Sequence, residues 1–180
     1  IIIVEGYTDV ITAYQHGIKN VVASLGTAFT REHGDLLRRY ASTVVIAYDS
    51  DTAGSNAVLR SMEILSDCGC RIDVVLLPQD QDPDDFVREN GSEAFLQAIK
   101  RESLSFIEYK LYKACNDYDI DRISGKIAAV NDVLPSLVKL KSSVELDAYI
   151  DLVADKVNLS REAISREVDK KAKKLQENGI

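Results

Sequence analysis

The chain has 180 residues, enough for one large domain or two small ones with a real core. With 46% hydrophobic and 28% charged residues its composition is globular, and no apolar run reaches the ~18 residues needed to cross a bilayer as a helix. The net charge of −7 lies wholly in the first part: residues 1–102 carry 9 Lys and Arg against 16 Asp and Glu, whereas residues 103–180 carry 13 of each. That balance argues against a self-sufficient grip on nucleic acid, which needs a basic face, and fits a carboxylate site offset by bound cations.

The opening run Ile1-Ile2-Ile3-Val4 has neither the basic flank nor the cleavage site of a signal peptide. It reads as a strand, and a chain that begins inside a strand looks like a piece of something longer. Val10, Ile11 and Tyr14 mark a first helix; residues 20–24 form a second strand; Leu36, Leu37 and Tyr40 line a second helix with Thr30 placed as its N-cap. Residues 43–48 are a third strand, Val58, Met62 and Leu65 a third helix, and residues 72–77 a fourth strand. Phe86, then Phe95, Leu96 and Ile99, suggest one or two closing helices, broken at Gly91-Ser92. Strands alternating with helices over short links imply a mainly parallel sheet with helices on both faces.

After Arg101 strand-like runs disappear. Apolar residues recur at helical spacing in four series: Leu104, Ile107 and Leu111; Ile127, Val130, Leu134 and Leu137; Leu146, Ile150, Val153 and Val157; Ile164, Val168, Ala172 and Leu175. Ser142 and Glu145 have capping-box spacing, and Pro135 should kink or end its helix. The expected division is an α/β domain over 1–102 and an all-helical subdomain over 103–180. Lys170, Lys171, Lys173 and Lys174 read first as a solvated helix face and second as a nucleic-acid contact. Cys68, Cys70 and Cys115 are too sparse for a zinc site and read as reduced thiols of a cytosolic protein; His16 and His33 are isolated.

Chemistry concentrates at strand ends, where open parallel sheets bind ligands. The first strand leaves on Glu5, the third on Asp49 and Asp51, and the fourth leads to Asp82, Asp84 and Asp85. One acidic loop is an ordinary feature, and Asp85 suits the first turn of a helix. Five carboxylates converging at one sheet edge would repel by several kcal/mol, on the order set by an intermediate dielectric, unless cations lie between them. Oxygen-only ligands of this kind suit Mg²⁺ or Mn²⁺, and two such ions roughly 4 Å apart would support in-line phosphoryl transfer. Gly26 and Thr27, after the second strand, offer either a phosphate cradle or a plain turn before the Thr30 cap.

A glutamate after strand one, D-x-D after strand three and an acidic loop after strand four resemble the Toprim domain of primases, topoisomerases and some nucleases. "VEGYTDV", "SLGTAFT", "AYDSDTAG" and "DPDDFV", in this order, resemble the catalytic core of bacterial-type DNA primases, and "AYIDLVADKVNLSREAISREV" resembles the helical subdomain that follows it. The resemblance implies a Toprim metal-binding catalytic domain plus a helical subdomain. It implies a nucleotidyltransferase, a DNA-directed RNA polymerase of the primosome. This would synthesise short RNA primers from ribonucleoside triphosphates on single-stranded DNA template during replication.

By the same resemblance Glu5 takes the family's conserved glutamate position, acid/base or metal-linked; Asp49, Asp51, Asp82 and Asp84 fall on metal-binding aspartates; and Asp9 is a further acidic position. The cofactor implied is Mg²⁺, with Mn²⁺ as the alternative. Zinc belongs to a family module absent from this chain, and the replicative helicase is expected to dock through a C-terminal region also absent. A cytoplasmic setting without membrane contact follows, with the isolated segment binding metal but priming poorly. The rival reading is another Toprim phosphodiester enzyme, a nuclease or topoisomerase subunit. An aspartyl-phosphate phosphatase is disfavoured by Ala53, and a receiver-like module by the lack of a lysine after the fourth strand.

Overall fold

The structure is a computed structural model that describes residues 1–26, 29–48, 56–78 and 81–177. It divides into two compact units, Ile1–Phe106 and Ile107–Ile180. In the first unit the described residues form β1 (Ile2–Val4), α1 (Tyr7–Gln15), β2 (Val21–Ala23), α2 (Arg31–Tyr40), β3 (Thr43–Ile46), α3 (Asn56–Asp67), β4 (Arg71–Val74), α4 (Pro83–Glu102) and β5 (Leu104–Ser105). The sheet order is β2-β1-β3-β4-β5, parallel throughout except for β5, which runs antiparallel to β4.

β1 is an interior strand, paired on both edges, and its uninterrupted Ile and Val suit burial on both faces: Ile2, Ile3 and Val4 are all buried. Alternate residues feed two cores. Ile2, Val4, Val21, Ala47, Val75 and Leu77 join Ala13, Val87 and Phe95 beneath α1 and α4. Ile3, Val44, Ile46, Ile72 and Val74 are buried on the opposite pleat, and Met62 and Leu65 of α3 are fully buried. The chain steps from β1 to β2 and then back across β1 to β3. Right-handed crossovers therefore place α1 on one face of the sheet and α2 and α3 on the other.

Three sequence expectations need correction. Ile11 and Tyr14 do not form the inner face of α1; both are about half exposed, while Asp9, Thr12 and Ala13 are buried. Leu36 and Tyr40 are likewise outside, and the buried residue of α2 is Gly34. The reason is steric: a Cβ at Gly34 would stand 2.6 Å from Cys68 Sγ, so the missing side chain lets α2 lie directly on α3. Leu104, placed by spacing on a helix, pairs with Val74 in β5, so strands do not end at Arg101. The helix that carries Pro135 ends two residues beyond it, at Leu137, in line with the expected stop.

Other local signals hold. Thr30 accepts the His33 amide as N-cap of α2. Gly91, at φ +82, interrupts α4 at the expected break. The second unit contains α5 (Phe106–Asp117), α6 (Ile123–Leu137), α7 (Ser143–Val157) and α8 (Arg161–Glu177), with α6, α7 and α8 packed on one another. Val133, Leu137, Val153 and Ile164 are buried there. Ser142 caps α7 by accepting the Glu145 amide at 3.2 Å, and Arg161 of α8 donates to Asp151 at 2.5 Å and to Asp147, tying α8 to α7.

Candidate metal centre

The site is built from the exits of β1 and β4 and the first turns of α1 and α4. Because β1 lies between β2 and β3, its carboxyl end is the point where successive crossovers diverge, the usual ligand crevice of such sheets. Glu5 leaves β1 at this point, half-buried. Its carbonyl accepts the Leu25 amide at 2.9 Å, and Ser24 N–H donates to the Val4 carbonyl at 3.0 Å, so the turn after β2 is laced to the end of β1. In that turn Leu25 (φ +54) and Gly26 (φ +69) are both left-handed, an uncommon state for leucine.

Tyr48, buried at the exit of β3, reports on its neighbours. Burial pushes its hydroxyl up, a Ser24 hydrogen bond pulls it down, and the negative charge of Glu5 pushes it up again. The ends of the first three strands thus converge on Glu5, Ser24 and Tyr48. Asp49, Asp51 and Thr27 lie outside the described residues.

The acidic loop folds as a helix start. Asp82 is the N-cap of α4, its Oδ1 accepting the Asp85 amide at 2.7 Å, and Pro83 occupies the first helical position. Asp82, Asp84 and Asp85 each offer a carboxylate oxygen within 4.8 Å of the others. Sequence reasoning gave Asp85 only a helix-terminus role; the structure adds it to the cluster.

Asp9 joins them from α1. It is buried, accepts the Gly6 amide at 2.9 Å and also the Asp84 amide. Burial pushes its carboxyl up, the amide bonds pull it down, and the charges of Asp82 and Asp84 push it up further. Asp84 moves the other way: the Thr12 hydroxyl, then the Arg88 guanidinium, hold it below the usual carboxylate range. Two carboxylates side by side are thereby driven apart, leaving Asp84 the more firmly ionised.

Thr12, Arg88 and Tyr48 were missed in the sequence. Arg88 alone had a readable signal, the i,i+4 spacing from Asp84 on a helix. Three carboxylate oxygens at this separation, with no sulfur or imidazole among them, fit a hard divalent cation of the Mg²⁺ or Mn²⁺ type.

This architecture has a counterpart. Residues 2–87 match a family model described as Toprim-like, and residues 107–162 match one described as the DnaB-helicase binding domain of primase. The first unit is therefore a Toprim fold. The chain is 44% identical over 164 residues to the DNA primase of Clostridium acetobutylicum, an alignment covering 91% of this chain and 27% of that protein. The E. coli primase catalytic core superposes with a TM-score of 0.72 at 28% identity, covering 89% of this chain and 52% of that one. The RNA polymerase domain of Mycobacterium tuberculosis primase DnaG in complex with double-stranded DNA gives 0.68 at 29% identity, covering 88% and 51%.

The chain belongs to the bacterial DNA primase family, and corresponds to the Toprim domain and following helical region of its catalytic core. It spans about a quarter of the length of the curated relatives it matches. The second family match corrects one expectation: the helicase-docking region was placed outside this chain, yet a model of that description matches residues 107–162.

Proposed function

We propose that this segment supplies the metal-binding part of a primase active site, which in the intact protein synthesises short RNA primers from ribonucleoside triphosphates on a single-stranded DNA template. The observation that carries the reading is the convergence of Asp82, Asp84 and Asp85 oxygens within 4.8 Å beside buried Asp9, on the fold shared with primase cores. Residues 1–102 act as the catalytic part and residues 103–180 as the helical subdomain.

Asp82 and Asp84, with Asp49 and Asp51 from the stretch after β3, hold Mg²⁺, or Mn²⁺ in its place; Asp9 lends further negative charge. Bound there, the metal neutralises triphosphate charge and lowers the pKa of an attacking hydroxyl. The protein's own residues orient and exchange protons. Arg88 and Thr12 fix Asp84, and Asp82 is held by its cap. Glu5, at the end of β1 with its charge felt at the Tyr48 hydroxyl, takes or gives a proton. Left-handed Leu25 and Gly26 turn the backbone after β2 beside Glu5, where Gly26 can meet a phosphate oxygen; Thr27, next in sequence, is the other proposed phosphate contact.

The acidic balance of residues 1–102 leaves template binding to other parts of the intact protein, so the isolated segment binds metal but primes poorly. The helical unit meets the replicative helicase, the reading supported by the match over 107–162. The setting is cytoplasmic; no helix among the described residues is long and apolar enough to cross a membrane.

A crystal soaked in Mn²⁺ and read by anomalous scattering tests the proposal. Peaks among Glu5, Asp49, Asp51, Asp82 and Asp84 are expected, and peaks elsewhere overturn it.

A further inference from the structure

Arg88 sits one turn after Asp84 on α4 and faces two partners at once. Its Nε donates to Asp84 Oδ1 at 2.8 Å, and its Nη2 donates to Thr12 Oγ1 on α1 at 3.1 Å. The Thr12 side chain is buried, and its hydroxyl in turn hydrogen-bonds the Asp84 carboxylate. The three groups close a ring. Guanidinium donates to carboxylate and hydroxyl, and the hydroxyl accepts from guanidinium and passes its own proton toward the carboxylate.

As a source of stability the ion pair is weak. The Arg88 side chain is 60% exposed, and helix-surface pairs of this kind contribute little. Its geometric effect is larger, because the bond to Thr12 links α4 to α1, helices that pack on the same face of the sheet. Asp84 is held at both ends: its amide donates to Asp9, and its carboxylate is gripped by Thr12 and Arg88. Its rotamer is settled before any cation arrives, and the same carboxylate belongs to the ligand-forming cluster.

We infer that Arg88 is a positioning residue which, with Thr12, fixes the Asp84 carboxylate so that a divalent cation meets a pre-oriented oxygen at the Asp82, Asp84 and Asp85 cluster. The inference rests on the metal-binding reading proposed above. A lysine is not an equivalent, since a single ammonium lacks the planar fork that spans a carboxylate and a hydroxyl in fixed geometry.

The test measures Mn²⁺ affinity of the intact protein by electron paramagnetic resonance, with the metal-free melting temperature as a folding control. Arg88→Ala and Thr12→Val should each weaken Mn²⁺ binding about tenfold, the usual loss when a ligand's supporting partner is removed. Arg88→Lys should weaken it by a similar factor, and it keeps charge and stem should the alanine variant fail to fold. Arg88→Ala added to Asp84→Asn should cause no further loss, since Arg88 acts through Asp84. Wild-type affinity in Arg88→Ala and Arg88→Lys, or an additive loss in the double variant, overturns the inference while leaving the metal site standing. Wild-type affinity in both Asp82→Asn and Asp84→Asn overturns the metal reading itself.

Discussion

The amide of Asp85 donates to Asp82 Oδ1 at 2.7 Å, so one candidate metal ligand is also the N-cap of the helix that carries the others. The two roles separate by substitution. Asp82→Asn keeps a capping oxygen, and asparagine caps about as well as aspartate. It should leave stability nearly unchanged while weakening Mg²⁺ binding. Asp82→Ala should weaken Mg²⁺ to a similar degree and also lose about 1 kcal/mol of stability. Urea unfolding without metal, paired with calorimetric Mg²⁺ titration, reads both. Equal stability losses in the two variants would mean that charge, not capping, matters at this position.

On the other face of the sheet, Gly34 of α2 meets Cys68, the residue after the end of α3. An alanine there would place its Cβ 2.6 Å from Sγ and 3.0 Å from the Cys68 Cβ. Gly34→Ala should therefore destabilise by about 1–3 kcal/mol, the range for overpacking a dense interior, despite alanine's better helix propensity. Adding Cys68→Ala removes the nearest clashing atom and should recover part of the loss. Denaturant midpoints of the three variants decide the matter.

These two positions show what was legible in the sequence. The strands were readable because β1 is buried on both sides and spells Ile and Val without a break, while β3 and β4 alternate buried Val and Ile with partly covered or exposed residues. Asp82 and Asp84 were readable because they follow one such strand. The faces of α1 and α2 were not. An apolar stripe normally marks the buried face of a helix, but α1 turns Asp9 and Thr12 inward toward the acidic loop and leaves Ile11 and Tyr14 outside. In α2 the buried contact is made by a residue without a side chain. β5 escaped because two residues, Leu104 and Ser105, carry no periodicity that distinguishes strand from helix. Arg88 was legible only as an i,i+4 pair; its bond to Thr12 is a tertiary fact.

In the helical unit, burial pushes the Tyr109 hydroxyl up from its ordinary value of 10 to about 12, with the neighbouring charges of Tyr112 and Asp117 adding to the effect. The folded state thus holds this proton more tightly than the unfolded chain. The associated stability is fully present below pH 10 and is lost as pH rises toward about 12. The span corresponds to about 2–3 kcal/mol. Tyr109→Phe, which has no proton to lose, should show a shallower fall in stability over that range. Unfolding curves at stepped alkaline pH compare the slopes, and identical slopes would show that Tyr109 does not govern this limb.

The negative charge of Glu5 raises the Tyr48 hydroxyl at the exit of β3, and Glu5 is not one of the three carboxylates that lie within 4.8 Å of one another at the start of α4. The proposed division of labour gives the proton to Glu5 and the cation to the grouped carboxylates. Glu5→Gln keeps the shape and removes the proton acceptor. In the intact protein it should lower primer synthesis by about 10²–10⁴-fold, the usual contribution of a general acid or base, with Mg²⁺ affinity close to wild type. Asp84→Asn should show the opposite order, with affinity lost first and synthesis partly restored at high Mg²⁺. Primer synthesis measured across a Mg²⁺ series distinguishes them: a Glu5→Gln defect that disappears at high Mg²⁺ would move Glu5 from proton transfer to metal ligation.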